Sequence, residues 1–282
     1  MSDYTTKHLE TNGYRTEYLD AGSGDEVVVL LHGGGPGANA ETNWRNFIPG
    51  LADRYRVIAP DIYGFGNTEH PEQPPVSLTE WMRARVNQVL ALLDGLGVER
   101  AHLVGNSAGG ALAMWTAGTA PERIGQLVLM GTAGGQMAVP TPEVVRMASF
   151  YKDPSKAGLE ALTRWFVYDD ATLGVDVAQI VEDRHKELSR PEVRRSFASM
   201  YTPPSSPAEM TVPPSALRRI QQRVLLVHGR EDRFVTPDSS VYLNQHIPNS
   251  QLHILENCGH WVQIEKRDEM LYLVRGFLDG SY

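Results

Sequence analysis

The chain has 282 residues, 41% of them hydrophobic and 21% charged, with a formal net charge of −8. That length suits one large α/β domain with an excursion, or two small domains, and the composition is that of an ordinary soluble globular protein. The negative charge is spread without long runs, which excludes a basic stripe for phosphates and hence nucleic acid as a partner. The single cysteine, Cys258, excludes an internal disulfide and a cysteine-based metal cluster. No N-terminal apolar run resembles a signal peptide, and no window approaches the roughly 20 apolar residues of a membrane helix. A reducing, cytoplasmic setting away from membranes is therefore expected.

In chain order, His8 to Asp20 alternates and turns at Asn12-Gly13, the pattern of a hairpin. Val27 to Leu31 is a continuous apolar run, as in a strand buried on both faces. Arg56–Pro60, His102–Val104, Gln126–Met130 and Arg223–His228 repeat that pattern, and Gln251–Leu255 is a weaker case. Helical patterns fall between them. The clearest spans Thr79 to Leu96, with Thr79 as its cap and Val86, Val89, Leu90, Leu93 and Leu96 on one face. Strands alternating with helices predict a doubly wound, mostly parallel sheet. The alternation stops between 134 and 218. That stretch carries helical pieces at Pro142–Tyr151, Ala157–Tyr168, Asp176–Ser189 and Glu192–Met200, then a proline-rich loop from Pro203 to Pro214. It is expected to be a helical insertion over the carboxyl ends of the strands, where ligands of α/β proteins bind. The chain divides accordingly into a core of 1–133 and 219–282 and a cap of 134–218.

Gly105-Asn106-Ser107-Ala108-Gly109 reads G-x-S-x-G between a short apolar strand and a small-residue helical run. Ser107 in that position occupies a sharp strand-to-helix turn that lifts its hydroxyl clear of the sheet. A serine is nucleophilic there only with a base nearby, and partners follow in the order Ser, Asp, His. His260 lies in a loop between the last predicted strand and the C-terminal helix, where a general base reaches over the strand ends. His228 ends a strand before Gly229 and reads as structural. Asp232 follows the strand ending at His228; it can accept the second imidazole N–H and stabilise imidazolium. Glu231 competes for that role, and the spacing favours Asp232.

His32-Gly33-Gly34-Gly35-Pro36-Gly37 follows the first core strand. The N–H of Gly34, with that of Ala108, can form an oxyanion hole. A phosphate loop is excluded because no G-x-G-x-x-G follows the strand and no Lys-Ser/Thr pair closes the segment. No paired His and carboxylate stand at ligand spacing, so neither a metal nor a cofactor is expected.

These residues resemble the α/β-hydrolase superfamily over essentially the whole chain. A narrower resemblance to the meta-cleavage product hydrolases rests on His32-Gly-Gly-Gly-Pro-Gly-Ala38, Asn43-Trp44-Arg45, Gly64-Phe65-Gly66, Gly105-Asn-Ser107, Gly229-Arg-Glu-Asp232 and Cys258-Gly-His260-Trp261. These serine enzymes cleave a C–C bond in 2-hydroxy-6-oxo-hexa-2,4-dienoates, the ring-opened products of catechol meta-cleavage in aromatic catabolism. The resemblance implies an α/β-hydrolase fold with a helical cap, a small-molecule dienoate substrate and a homo-oligomer. It also implies that Arg184, six residues before Arg190-Pro191, binds the substrate carboxylate; without the resemblance, a solvated helix arginine is the simpler reading. Asn106 and Asn43 are candidates for contacts to substrate oxygens or for turn formation, and Trp261 for stacking on the diene or for ordinary packing. Ala108 departs from the Met or Phe of many members, which affects pocket shape rather than a backbone oxyanion contact. The insertion from Arg190-Pro191 to Pro203-Pro204 looks most like members acting on monocyclic, alkyl-substituted products, such as 2-hydroxymuconic semialdehyde hydrolase. The rival readings are a carboxylesterase with the same Ser, Asp and His, and a non-catalytic small-molecule receptor.

Overall fold

A computed structural model describes residues 4–136, 140–172, 176–202 and 207–281. Its strands are β1 (Thr5–Thr11), β2 (Tyr14–Ala21), β3 (Val27–Leu31), β4 (Arg56–Pro60), β5 (Ala101–Asn106), β6 (Ile124–Met130), β7 (Val224–Gly229) and β8 (Ser250–Leu255). They form one sheet in the order β1-β2-β4-β3-β5-β6-β7-β8. β2 pairs antiparallel with β1 and β4, and every later pairing is parallel. The predicted hairpin turns at Asn12 and Gly13 with φ of 52° and 83°, the left-handed pair that a two-residue turn between right-twisted strands requires.

The helices are α1 (Ala40–Trp44), α2 (Pro49–Ala52), α3 (Leu78–Gly95), α4 (Ala108–Thr119), α5 (Pro142–Ala148), α6 (Lys156–Trp165), α7 (Val177–Leu188), α8 (Pro191–Tyr201), α9 (Pro214–Leu217), α10 (Asp238–His246), α11 (Val262–Glu265) and α12 (Arg267–Leu278). β3 shows how the layers form. Val27, Val29 and Leu31 face the side packed by α3 and α4, while Val28 and Leu30 face the side packed by α1, α2 and α12. All five are buried, because a central parallel strand has helices on both faces.

The cap of α3 differs from the prediction. Ser77 is the N-cap and accepts from the Glu80 N–H, whereas the N–H and hydroxyl of Thr79 both donate to Glu209. On the buried face Leu92 joins Val86, Val89 and Leu93, while Leu90 and Leu96 are only half-buried.

α5 to α9 all lie between β6 and β7, so this stretch leaves the sheet at the carboxyl end of β6 and returns at β7. Residues 203–206 of the predicted proline-rich loop lie outside the described residues. The strand order reverses at β3, which has β4 on one side and β5 on the other. The loops after β3 and β5 therefore diverge and leave a crevice at the carboxyl edge, the place where open α/β sheets bind ligands.

Candidate active site

Ser107 stands at that crevice, between β5 and α4, with φ 57° and ψ −121°. A non-glycine residue there is strained by about 1–3 kcal/mol and persists only where its surroundings fix it. Here the Ser107 N–H donates to the Met130 carbonyl (2.9 Å), and the Ser107 carbonyl accepts from Ala133 (3.1 Å) and Gly110 (3.0 Å). The positive φ falls on the serine rather than on the flanking glycines. Gly109 is needed for another reason: a Cβ on it would overlap the backbone of Leu31 and His32. Removing that Cβ lets α4 begin against the end of β3.

Asp232 and His260 come from the loops after β7 and β8 and are both buried. His260 Nδ1 lies 2.7 Å from Asp232 Oδ2. Asp232 Oδ1 accepts from the N–H groups of Phe234 (2.8 Å) and Val235 (3.0 Å). Burial alone would raise the Asp232 pKa, but the imidazoles and hydrogen bonds of His260 and His228 outweigh it and hold the group at about 2. An ionised Asp232 fixes the Nδ1–H tautomer of His260 and leaves Nε2 as the lone pair. His228 Nε2 reaches the Val235 carbonyl at 2.7 Å, and a carbonyl only accepts, so Nε2 carries hydrogen there. Nδ1 then accepts from the Ser240 hydroxyl at 2.6 Å. His228 thus braces the Asp232 loop from behind, 3.2 Å from Oδ2. Glu231, the competing acid, instead accepts from the Cys258 N–H.

The glycine loop after β3 has its carbonyls tied one by one. Gly33 O accepts from His32 Nδ1 (2.8 Å), Gly34 O from the Tyr201 hydroxyl (3.2 Å), Gly35 O from the Ala38 N–H (3.1 Å) and Pro36 O from Arg184 Nη1 (3.4 Å). His32 Nε2 accepts from the Ile62 N–H (2.9 Å), so the ring is neutral, and burial pushes its pKa down to about 3. A trans peptide points its C=O and N–H in opposite directions. Anchoring Gly33 O therefore sets the direction of the Gly34 N–H.

Ser107, His260, Gly34, Ala108, Arg184, Asn106, Asn43 and Trp261 all line one cavity of about 170 Å³. Arg184, on α7, is 2% exposed rather than solvated. Its guanidinium lies 4.7 Å above the Trp261 ring, its Nε is buried without a partner among the described residues, and burial lowers its pKa to about 10. The Asn106 NH₂ donates to the carbonyls of Met130 (3.1 Å) and His260 (3.2 Å), stapling the serine turn to the histidine loop. Asn43 Nδ2 donates to the Asn39 carbonyl (2.9 Å) and closes the turn into α1. Trp261 stacks on Phe166 at 4.9 Å between centroids and 6° between planes.

Four contributors escaped the sequence reading. His32 and Tyr201 hold the glycine loop as described. Phe166 is stacked between Trp261 and Phe234, the latter at 3.9 Å. Glu265 accepts from the N–H groups of Tyr168 (2.7 Å) and Gly259 (2.9 Å), and burial pushes it up to about 7. The signals for His32 and for Glu265, beside recognised motifs, were present but had no partner in sight. Tyr201 and Phe166 lie in the insertion, whose packing no local pattern encodes.

Residues 28–271 match the family model described as the alpha/beta hydrolase family. The chain is 37% identical over 268 residues to 2-hydroxy-6-oxo-2,4-heptadienoate hydrolase of Pseudomonas putida, covering 94% of this chain and 93% of that protein. The chain belongs to the α/β-hydrolase family, among its meta-cleavage product hydrolases. It is also 38% identical over 266 residues to a 2-hydroxy-6-oxononadienedioate/2-hydroxy-6-oxononatrienedioate hydrolase of Pseudomonas putida, covering 93% of this chain and 90% of that protein. Among solved structures it is similar to 2-hydroxy-6-oxo-6-phenylhexa-2,4-dienoate hydrolase from a Rhodococcus species, with 39% identity, TM-score 0.93 and coverage of 97% and 98%. The α/β-hydrolase fold expected from the sequence is thus the fold observed. No helix among the described residues is long and apolar enough to cross a membrane.

Proposed function

We propose that this protein hydrolyses the C–C bond of 2-hydroxy-6-oxo-hexa-2,4-dienoates, with Ser107 as nucleophile, His260 as base and Asp232 as its orienting acid. The observation that carries this reading beyond a generic serine esterase is Arg184. A guanidinium buried to 2% exposure, facing the cavity with no carboxylate partner among the described residues, is strongly disfavoured unless a ligand anion completes it. A dienoate brings that anion, and a bidentate pair with it fixes the ligand's orientation.

The proposed chemistry uses the groups that line the cavity. With the carboxylate on Arg184, the conjugated chain runs past Trp261 and the distal carbonyl reaches Ser107. Proton transfer from the 2-hydroxyl to C5, assisted by His260, converts the dienol to its keto form. Ser107 then adds to the C6 carbonyl as His260 takes its proton, and the N–H groups of Gly34 and Ala108 receive the oxyanion. The C5–C6 bond breaks, its electron pair delocalises into the 2-oxo group, and protonation releases 2-hydroxypenta-2,4-dienoate. Water, activated by His260, adds to the acyl-enzyme; the carboxylic acid leaves and the serine recovers its proton. The insertion acts as a cap, supplying Arg184, Phe166 and Tyr201 to a site whose reacting groups lie on the core.

The test is loss of the yellow dienolate absorbance on mixing with 2-hydroxymuconic semialdehyde and its 6-methyl and 6-phenyl analogues. Wild type is expected to bleach them and Ser107→Ala to lose nearly all turnover. Bleaching by Ser107→Ala at the wild-type rate would remove the serine from the mechanism. No bleaching by wild type, beside brisk hydrolysis of a short aryl ester, would make the protein a carboxylesterase. Arg184→Ala is expected to raise KM for the dienoates while leaving ester turnover largely intact.

A further inference from the structure

Asp232 faces two imidazoles. Its Oδ2 lies 2.7 Å from His260 Nδ1 and 3.2 Å from His228 Nε2, and the side chains of Asp232 and His228 are both fully buried. The tautomer of His228 is set from two sides. The Ser240 hydroxyl, on α10, donates to Nδ1 at 2.6 Å, and the Val235 carbonyl takes the Nε2 hydrogen at 2.7 Å. The hydrogen points at Val235, and the positive edge of the ring lies along Oδ2. Val235 completes the arrangement, because its own N–H donates to Asp232 Oδ1 at 3.0 Å. Gly131 covers the pair from the β6 side; a Cβ on it would stand 3.3 Å from Oδ2 and 3.4 Å from His260 Nδ1. With solvent excluded, protein dipoles decide how strongly Asp232 holds a protonated partner. Burial alone would raise the Asp232 pKa, and the two imidazoles hold it at about 2.

We propose that His228 is a positioning residue that sets the pH range of the reaction: its N–H edge draws charge from Asp232 Oδ2 and so loosens the hold of Asp232 on protonated His260. The inference rests on the reading of Ser107, His260 and Asp232 as nucleophile, base and orienting acid, and adds a residue that is not among those lining the cavity. A carboxylate oxygen beside a second N–H dipole is a weaker base toward the first. A base that takes the serine proton and later returns it works best when its own acidity lies near the working pH. Other ionisable groups also act on the pair. Glu265 faces Asp232 from α11, Glu231 and Cys258 flank the two loops, and Arg184 from α7 shares the cavity with His260. β5 and β6 present Asn106 and Gly131, which do not titrate. All of these stay in place when His228 alone is changed.

The experiment follows kcat/KM for a short aryl ester between about pH 5 and about pH 9, the range in which a histidine base gives an acid limb. The ester needs the three reacting groups but no dienoate site. His228→Asn keeps an acceptor oxygen where Nδ1 meets Ser240 and removes the donor at Nε2. It is expected to move the acid limb to higher pH by roughly 0.5–1 unit, because an undivided Oδ2 holds imidazolium more tightly. His228→Gln returns an N–H donor to the place of Nε2 and is expected to bring the limb back to within about 0.3 unit of wild type. A purely structural role lowers the plateau in both variants and leaves the limb where it was. A limb that stays put or moves to lower pH in folded His228→Asn, or one that rises equally in His228→Gln, overturns the proposal. Glu265 is held at about 7, so the comparison is repeated with Glu265→Gln in both chains; the same displacement is expected, and its loss there would assign the limb to Glu265 instead. Nitrogen NMR of histidine-labelled wild type needs no variant to fold. His228 is expected as the Nε2–H tautomer throughout, and an Nδ1–H tautomer, with a lone pair facing Oδ2, overturns the proposal. Ester turnover by Ser107→Ala at the wild-type rate overturns the underlying assignment of the three groups along with it.

Discussion

The carbonyl of Phe166 accepts from both the His260 N–H (2.7 Å) and the Trp261 N–H (3.2 Å). A residue of the insertion therefore grips the backbone of the loop that carries the proposed base. Its ring does the same work from the side, stacked 3.9 Å from Phe234 and 4.9 Å from Trp261. Phe234 is two residues beyond Asp232 and its N–H donates to that carboxylate at 2.8 Å. One aromatic side chain thus spans the two loops whose imidazole and carboxylate meet. Gly259 makes the approach possible, because a Cβ there would press on the backbone from Phe166 to Tyr168.

Phe166→Ala keeps the carbonyl but removes the stacked ring. A buried Phe-to-Ala change destabilises by about 3–5 kcal/mol. Denaturant unfolding is expected to show a loss in that range, with kcat reduced more than KM because the base is displaced rather than the carboxylate site. A stability loss below about 1 kcal/mol would mean that the ring bears little of the packing.

Glu265 fastens the same two segments through the N–H groups of Tyr168 and Gly259. Burial raises its pKa to about 7, against the lowering effect of those hydrogen bonds. In the unfolded chain an ordinary glutamate titrates near 4.3. Between those two values the folded state binds more proton than the unfolded state, so this group's contribution to stability falls as pH rises through that window. Glu265→Gln abolishes the titration. The Tm of the variant minus that of wild type is expected to increase as pH is raised from about 5 to about 8. A difference that stays flat, or falls, would contradict the raised pKa.

Much of this site is readable from the chain because its chemistry sits on strand ends. The apolar runs Val27–Leu31 and Arg56–Pro60 are strands with the bounds expected. Ser107 and His260 line one cavity, with Asp232 on the imidazole of His260, because each follows a strand of the same sheet. What escaped is held by the insertion or by pairs remote in sequence. Thr79 looked like a cap because Glu209, 130 residues away, is invisible to a local pattern. Tyr201 falls just after the helical piece expected to end at Met200; only the fold brings its hydroxyl to Gly34, 167 residues away. Asn106 carries two readings, a substrate contact and a turn-forming role; its NH₂ donates to two backbone carbonyls.

His32 makes two hydrogen bonds that a side chain of another shape cannot reproduce together, one given to Gly33 O and one received from the Ile62 N–H. His32→Ala leaves both backbone groups buried and unpaired, which costs about 1–3 kcal/mol for each. It also frees the peptide that aims the Gly34 N–H at the proposed oxyanion. Loss of one oxyanion donor reduces kcat by ~10²–10³, and His32→Ala is expected to approach that loss on dienoates and aryl esters alike. Retained ester turnover would show that Gly34 holds its direction without the histidine.

Tyr201 tests how far the insertion shares in that control. Its hydroxyl donates to the Gly34 carbonyl, on the peptide next to the one that His32 anchors. Tyr201→Phe removes that bond and nothing of the ring, so the cavity keeps its wall. The bond is worth about 0.5–1.5 kcal/mol, and kcat is expected to fall by ~3–10-fold with KM for the dienoate nearly unchanged. The KM against kcat split is the informative readout. A wall residue that only touches substrate would raise KM, whereas a residue that orients the glycine loop acts after binding, when charge develops on the carbonyl oxygen. Combining Tyr201→Phe with His32→Ala sharpens the distinction. If both act through the same loop, the double variant should lose less than the product of the two single losses, since a loop already released by one change has less order left for the other to remove.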